Sequence, residues 1–272
     1  MNLWGVAAVL GIVEGLTEFL PVSSTGHLII AGHMLGFVGD KAASFEIAIQ
    51  MGAILSVVFL YWRRFLRLVP NNEKRAENST LDGWSGIWRI TIATLPALCV
   101  AYMLRHEIKE RLFNPEAVSL ALAVGGLGIL VVERFSLGRR SNTLDNLSLG
   151  QALGIGLFQI LALWPGTSRA AATIIGGMLL GLDRKASAEF SFLIAVPVLF
   201  AATGYELLKM RDQLAFADAV ALAIGFLVSF LVALAAIKGF VSYLGRGRLT
   251  PFAWYRIVIA PIFYYLTRGS AW

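Results

Sequence analysis

The chain has 272 residues, 57% of them hydrophobic and 15% charged, with a mean hydropathy of +0.72; a soluble domain holds about 45–50% apolar and about 25% charged residues, so this is an integral membrane protein. The net charge of +6 does not make it a nucleic-acid binder, because its Lys and Arg residues gather at the ends of apolar runs as topology signals do. A single cysteine, Cys99, excludes an intramolecular disulfide and a thiolate metal cluster.

Long apolar stretches predict α-helical spans rather than the alternating strands of a barrel. The start, Met1-Asn-Leu-Trp4, has no basic region, so no cleavable signal is expected. The first apolar run, 3–20, is broken by Pro21-Val-Ser-Ser-Thr-Gly26 and resumes over 27–36. Each piece is too short to cross about 30 Å comfortably and the break is polar, so 3–36 reads as a re-entrant hairpin with its tip buried in protein. Spans near 43–62, 86–104 and 115–133 follow. A second broken run, 149–164 and 170–181 around Pro165-Gly-Thr-Ser-Arg169, makes a hairpin over 149–181, followed by spans near 186–208, 216–237 and 251–267.

The order is the same twice. At an offset of 145 residues Gly11 falls on Gly156, Ser23 on Ser168, Phe45 on Phe190, and Leu28-Ile-Ile-Ala-Gly-His-Met-Leu-Gly36 on Thr173-Ile-Ile-Gly-Gly-Met-Leu-Leu-Gly181. The chain therefore reads as one all-α membrane domain built from two repeats, 1–135 and 148–272. A hairpin crosses the membrane no times and three spans cross it an odd number of times, so the second repeat enters from the opposite face. Inverted repeats with broken helices build sites at the midplane.

Arg63, Arg64, Arg67, Lys74, Arg75, Arg134, Arg139, Arg140, Arg184, Lys185, Lys238, Arg246 and Arg248 fall on one side, thirteen in all; Lys41, Arg105, Lys109, Arg111, Lys209, Arg211 and Arg268, seven, fall on the other. The richer side is expected to be cytoplasmic. The first hairpin then opens outward, away from the cytoplasm.

Ionisable groups at membrane depth mark function by default. Glu14 and Glu18 are four apart and share a helix face. Two such carboxylates repel, and a hard divalent cation, Mg2+ or Ca2+, resolves the conflict with oxygen ligands; the alternative is one exposed carboxylate and one protonated one. Ser23, Ser24 and Thr25 are suited to cap the second half-helix, where free amides, Gly26 among them, favour an anion. His27 lies three residues after Ser24 and is expected to face it as a base for its hydroxyl. Arg169 in the second break matches phosphate oxygens bidentately or pairs with Glu14 or Glu18. Gly166, Ser168 and Thr173 would be its neighbours. Together these residues suit phosphoryl transfer, with Ser24, His27, Glu18 and Arg169 as catalytic candidates and Ser23, Thr25, Gly26, Gly166, Ser168 and Thr173 as binding ones.

Three segments, Glu14-Gly-Leu-Thr-Glu18, Pro21-Val-Ser-Ser-Thr-Gly-His27 and Pro165-Gly-Thr-Ser-Arg-Ala-Ala-Ala-Thr173, closely resemble the motifs of the bacterial undecaprenyl pyrophosphate phosphatase (bacitracin-resistance) family, and the resemblance runs over nearly the whole chain. One departure is Ala170, where the family carries serine; a hydroxyl there should be dispensable. The resemblance implies hydrolysis of a polyprenyl diphosphate lipid, undecaprenyl diphosphate, to the monophosphate outside the cytoplasm, with a divalent cation, so that the carrier is reused in cell-wall synthesis. A transporter or flippase of a lipid phosphate is the alternative, although transport needs no nucleophile. The oligomeric state is open, a homodimer included.

Overall fold

The computed structural model describes residues 2–37, 39–70, 79–135, 143–210 and 219–269, and these are helical with no strand among them. Lys74, Arg75, Arg139, Arg140 and Arg211 lie outside the described residues, as do the side chains of Lys41 and Lys209.

Helix α1 (Leu3–Thr17) starts on Asn2, whose side chain accepts from the Gly5 amide at 2.9 Å. It stops ahead of Pro21, and α2 (Ser24–Leu35) begins on a Ser23 cap. Gly36 ends α2 with a φ of 64°, the left-handed conformation that glycine adopts at no steric cost. Then come α3 (Asp40–Leu60), the short α4 (Trp62–Leu68), α5 (Gly83–Leu112) and α6 (Pro115–Phe135). The second half runs α7 (Leu149–Ile160), α8 (Arg169–Leu179), α9 (Arg184–Met210), α10 (Ala219–Leu244) and α11 (Thr250–Thr267). A capping box between Ser148 and Gln151 starts α7, and Pro251 in the first turn of α11 occupies a position where no amide is needed.

Helices α5, α6, α9 and α10 are long and apolar enough to cross a membrane, and the last stretch of α3 with α4 makes a fifth if the two, bent by 75°, are one span. The sixth expected span, near 251–267, coincides with α11 but is less apolar than the others. It is a helix of 18 residues, but Arg256 and several Tyr dilute its apolar character. Helix α5 also outruns its expected end at 104, because a Glu107–Arg111 pair at 2.8 Å helps carry the helix on into a charged segment that no apolar-run rule would include.

Small residues set the packing. A methyl on Gly11 would stand 2.7 Å from Gly225 O, and one on Gly15 the same distance from Ser229 O, so α1 and α10 touch backbone to backbone. Gly156 of α7 meets Ala93 O of α5 in the same way, at 2.7 Å. Close approach of this kind replaces the hydrophobic drive that is missing between helices in lipid. Helix α6 packs on α11, α3 on α9, and α6 touches α8 as α11 touches α2. Around these contacts the outer surface stays apolar: Leu120, Val124, Leu127 and Val131 form an exposed stripe on α6 while Val118, Leu122, Ile129 and Val132 are buried. A helix apolar on both faces is stable only with lipid on one of them.

Candidate active site

The two polar breaks end at the same place. Residues 18–25 and 162–169 line one cavity of about 170 Å³, into which Glu18, Ser23, Ser24, Thr25, Gly166, Ser168 and Arg169 all face, with Gln50 from α3 and Leu199 from α9 closing it. The caps that open it are alike. Ser23 (φ 76°) and Ser168 (φ 70°) are the non-glycine residues of positive φ among the described residues, and each accepts from the amide three residues on, Gly26 N at 3.4 Å and Ala171 N at 3.2 Å. Holding a serine in the left-handed region costs on the order of 1–3 kcal/mol, strain of the kind concentrated at ligand sites. It turns the first amides of α2 and of α8 towards one space, where both helix dipoles favour an anion.

Glu18 joins the two tips. Its Oε2 accepts from the Ser24 hydroxyl at 2.5 Å, and its Oε1 lies 3.4 Å from Arg169 Nη2. Arg169 also donates from Nη1 to Ser191 O at 3.0 Å and sits 5.7 Å over the Phe19 ring, while its Nε is buried without a partner. The salt bridge to Glu18 and a place on the cavity wall, alternatives in the sequence, thus occur together.

Three expectations need correction. His27 does not meet Ser24. Its Nδ1–H donates to Ser23 O at 2.7 Å, and its Nε2 faces the Tyr255 hydroxyl at 2.5 Å. A carbonyl only accepts, so the Ser23 contact puts the proton of neutral His27 on Nδ1 and leaves Nε2 to accept from Tyr255. Thr173 is fully buried, donates to Arg169 O at 2.8 Å and accepts from the Ser191 hydroxyl at 2.7 Å; it props the residue that holds Arg169 and does not line the cavity. Gly26 is buried against Leu122, its amide already committed to the Ser23 cap.

Glu14 lies one turn below Glu18, 1% exposed, with Oε2 buried and unpartnered. Two carboxylates lie near a single guanidinium, an arrangement that a low-dielectric interior tolerates only with a proton or a cation on one of them. No group of three His, Cys, Asp or Glu suited to a metal exists among the described residues. Two carboxylates nevertheless fit Mg2+, which takes one or two of them and completes its shell with water and substrate phosphate.

Arg256 was not anticipated. It is 0% exposed in the middle of α11 and donates to five carbonyls: Pro21 O (3.3 Å) in the first break, Gly166 O (3.0 Å) and Thr167 O (2.8 Å) in the second, and Ala121 O (3.0 Å) and Leu122 O (3.2 Å) on α6. Its signal was present as a lone arginine inside an apolar run. Gln50, Ser191 and Tyr255 had no comparable mark, being ordinary polar residues of spans.

Residues 7–262 match the family described as bacitracin resistance protein BacA. Among curated proteins, the undecaprenyl-diphosphatase of Maridesulfovibrio salexigens is 55% identical over 94% of this chain and 96% of its own length. That of Nitratidesulfovibrio vulgaris is 55% identical over 95% and 96%, and that of Oleidesulfovibrio alaskensis 53% over 94% and 96%. A match of this extent settles the membership: the chain belongs to the bacitracin resistance protein BacA family.

Proposed function

We propose that this protein is a membrane phosphatase that hydrolyses undecaprenyl diphosphate to undecaprenyl phosphate and inorganic phosphate. The observation that carries the reading is the Ser24–Glu18–Arg169 cluster at the meeting of two helix N-termini: a hydroxyl with a proton acceptor, a guanidinium, and amides aimed at one small cavity. At about 170 Å³ the cavity is smaller than the roughly 300–1,000 Å³ of a typical ligand site. It suits a phosphate headgroup, while the polyprenyl chain remains in the bilayer.

The chemistry follows from who touches whom. Ser24 Oγ attacks the terminal phosphorus as its proton passes to Glu18 Oε2, and the bond from that phosphorus to the bridging oxygen breaks, releasing the lipid monophosphate. Glu18 passes that proton to the departing bridging oxygen; water then attacks the phosphoserine, Glu18 taking its proton and returning it to Ser24 Oγ as inorganic phosphate leaves. Arg169 neutralises the phosphoryl oxygens, and the first amides of α2 and α8 hold them where negative charge develops. His27 takes no proton in this scheme; it fixes the Ser23 carbonyl and so the Ser24 backbone. Glu14 and Glu18 would hold the divalent cation. When bound, such an ion balances the carboxylates and draws charge from the phosphates.

The two halves are proposed to be inverted repeats. This is supported by the matching caps Ser23 and Ser168 and by reciprocal packing, α1 on α10 as α7 on α5 and α6 on α8 as α11 on α2. The basic-residue count supports a site opening to the periplasm of the inner membrane. There the product would re-enter the carrier pool of peptidoglycan synthesis, and withdrawing the diphosphate would give bacitracin resistance. Purified protein in detergent should release phosphate from undecaprenyl diphosphate. Binding without release would favour transport of the lipid.

A further inference from the structure

Where α3 turns into α4, the start of α9 and the last turns of α10 enclose a second cavity, of about 460 Å³, that shares no lining residue with the catalytic one. Its floor is apolar, formed by Leu60, Ile237 and Val241, and its rim carries Lys185 and Lys238. Lys185 sits in the first turn of α9, so the positive end of a 27-residue helix adds to the same region.

Neither of these two cations is held by a short ion pair to a described residue. Arg184, beside them, is neutralised by Glu133 at 2.6 Å, but Lys185 is 57% exposed and reaches Glu189 only at 4.0 Å. Lys238 is exposed and makes no ion pair with a described residue. A free inorganic anion would answer the lysines and leave the hollow empty, and a zwitterionic lipid would fill the hollow and leave the lysines without a net negative partner. An anionic amphiphile answers both. Basic pockets between helices on the positive side of a membrane protein take such headgroups, and both lysines belong to the thirteen-residue side.

We infer that this cavity binds an acidic glycerophospholipid of the bilayer, with its phosphate between Lys185 and Lys238 and the start of an acyl chain over Leu60, Ile237 and Val241. The occupant is a bulk lipid, not the reaction product, since the pocket lies apart from the catalytic cavity and is lined by none of its residues.

The test is native mass spectrometry of the delipidated full-length protein offered equal amounts of phosphatidylglycerol and phosphatidylcholine. Wild type should retain phosphatidylglycerol roughly tenfold or more over phosphatidylcholine, the preference expected of two lysines. The double variant Lys185→Gln/Lys238→Gln should lose that preference while its phosphate release in detergent stays normal, which certifies the fold. Ser242→Trp, which fills the hollow without altering charge, should lower retention too. Equal retention of both lipids by wild type, or an unchanged preference in the double variant, would overturn the site. So would displacement of phosphatidylglycerol by an equal concentration of undecaprenyl phosphate, which would make the pocket a product site.

Discussion

The Ser24 hydroxyl stands 2.5 Å from Glu18 Oε2, six residues back across the first break, while the ring nitrogens of His27 are taken by Ser23 O and the Tyr255 hydroxyl. A helix places residues three apart on one side, yet the proton acceptor comes from the preceding half-helix. Ser24→Ala should therefore lower phosphate release by about 10²–10⁴, the usual worth of a lost nucleophile or base. Glu18→Gln, nearly isosteric, should do the same. Ser23→Ala is the control. It removes only a cap, worth about 1 kcal/mol of stability, and should turn over near the wild-type rate. Should Ser24→Ala keep more than about a tenth of the activity, less than 1.4 kcal/mol of barrier, the serine is a phosphate ligand and water is the attacking group.

Arg169→Lys keeps the charge but gives up the planar fork. Lysine could still pair with Glu18, so a purely structural salt bridge would survive the exchange. A phosphoryl clamp would not, and turnover should fall by more than tenfold, about 1.4 kcal/mol, with thermal stability close to wild type.

Tyr255→Phe separates the two roles open to His27. If His27 only fixes the Ser23 carbonyl, losing the hydroxyl at Nε2 should reduce the rate by about tenfold or less, since the Nδ1 bond remains, and the acid limb of the pH–rate profile should not move. A shift of that limb would return His27 to proton transfer.

Both helix breaks and the meeting of Glu18, Ser24 and Arg169 were legible in the sequence, because polar groups between apolar half-helices have no inexpensive alternative to a buried tip. Spacing failed where partners come from far along the chain. His27 is drawn away from Ser24 by Tyr255, 228 residues distant, and Thr173 turns from the cavity to Ser191 on another helix. Periodicity tells which face a residue occupies, not which neighbour meets it. The length of α5 and the bend between α3 and α4 were likewise illegible, since the one depends on an ion pair beyond the apolar layer and the other on packing of Tyr61 and Phe65 against two core clusters.

Orientation is checked by labelling. In a Cys99→Ser background, Lys109→Cys should react in intact cells with a membrane-impermeant thiol reagent and Arg248→Cys only after lysis, as the basic-residue count requires. The reverse pattern would place the catalytic mouth on the cytoplasmic side.

Arg256 makes the sharpest demand on the fold. Its five carbonyl acceptors come from both breaks and from α6, and it has no carboxylate partner among the described residues. A buried, unpaired charge is tolerated only because those dipoles surround it. Arg256→Gln cannot span them and leaves several buried carbonyls without a donor, each costing about 1–3 kcal/mol, so the unfolding temperature in detergent should drop well below that of wild type. Arg256→Lys keeps the charge but offers a single ammonium where a fork reached Pro21, Gly166 and Thr167 at once, and it should recover only part of the loss. If the arginine also sets the spacing of the tips, phosphate release by the folded fraction should fall by about 10²-fold in both variants, the cost of misplacing reacting groups by about 1 Å. A lower unfolding temperature with wild-type kcat and KM below it would reduce Arg256 to a structural tie with no part in aligning Ser24 and Arg169.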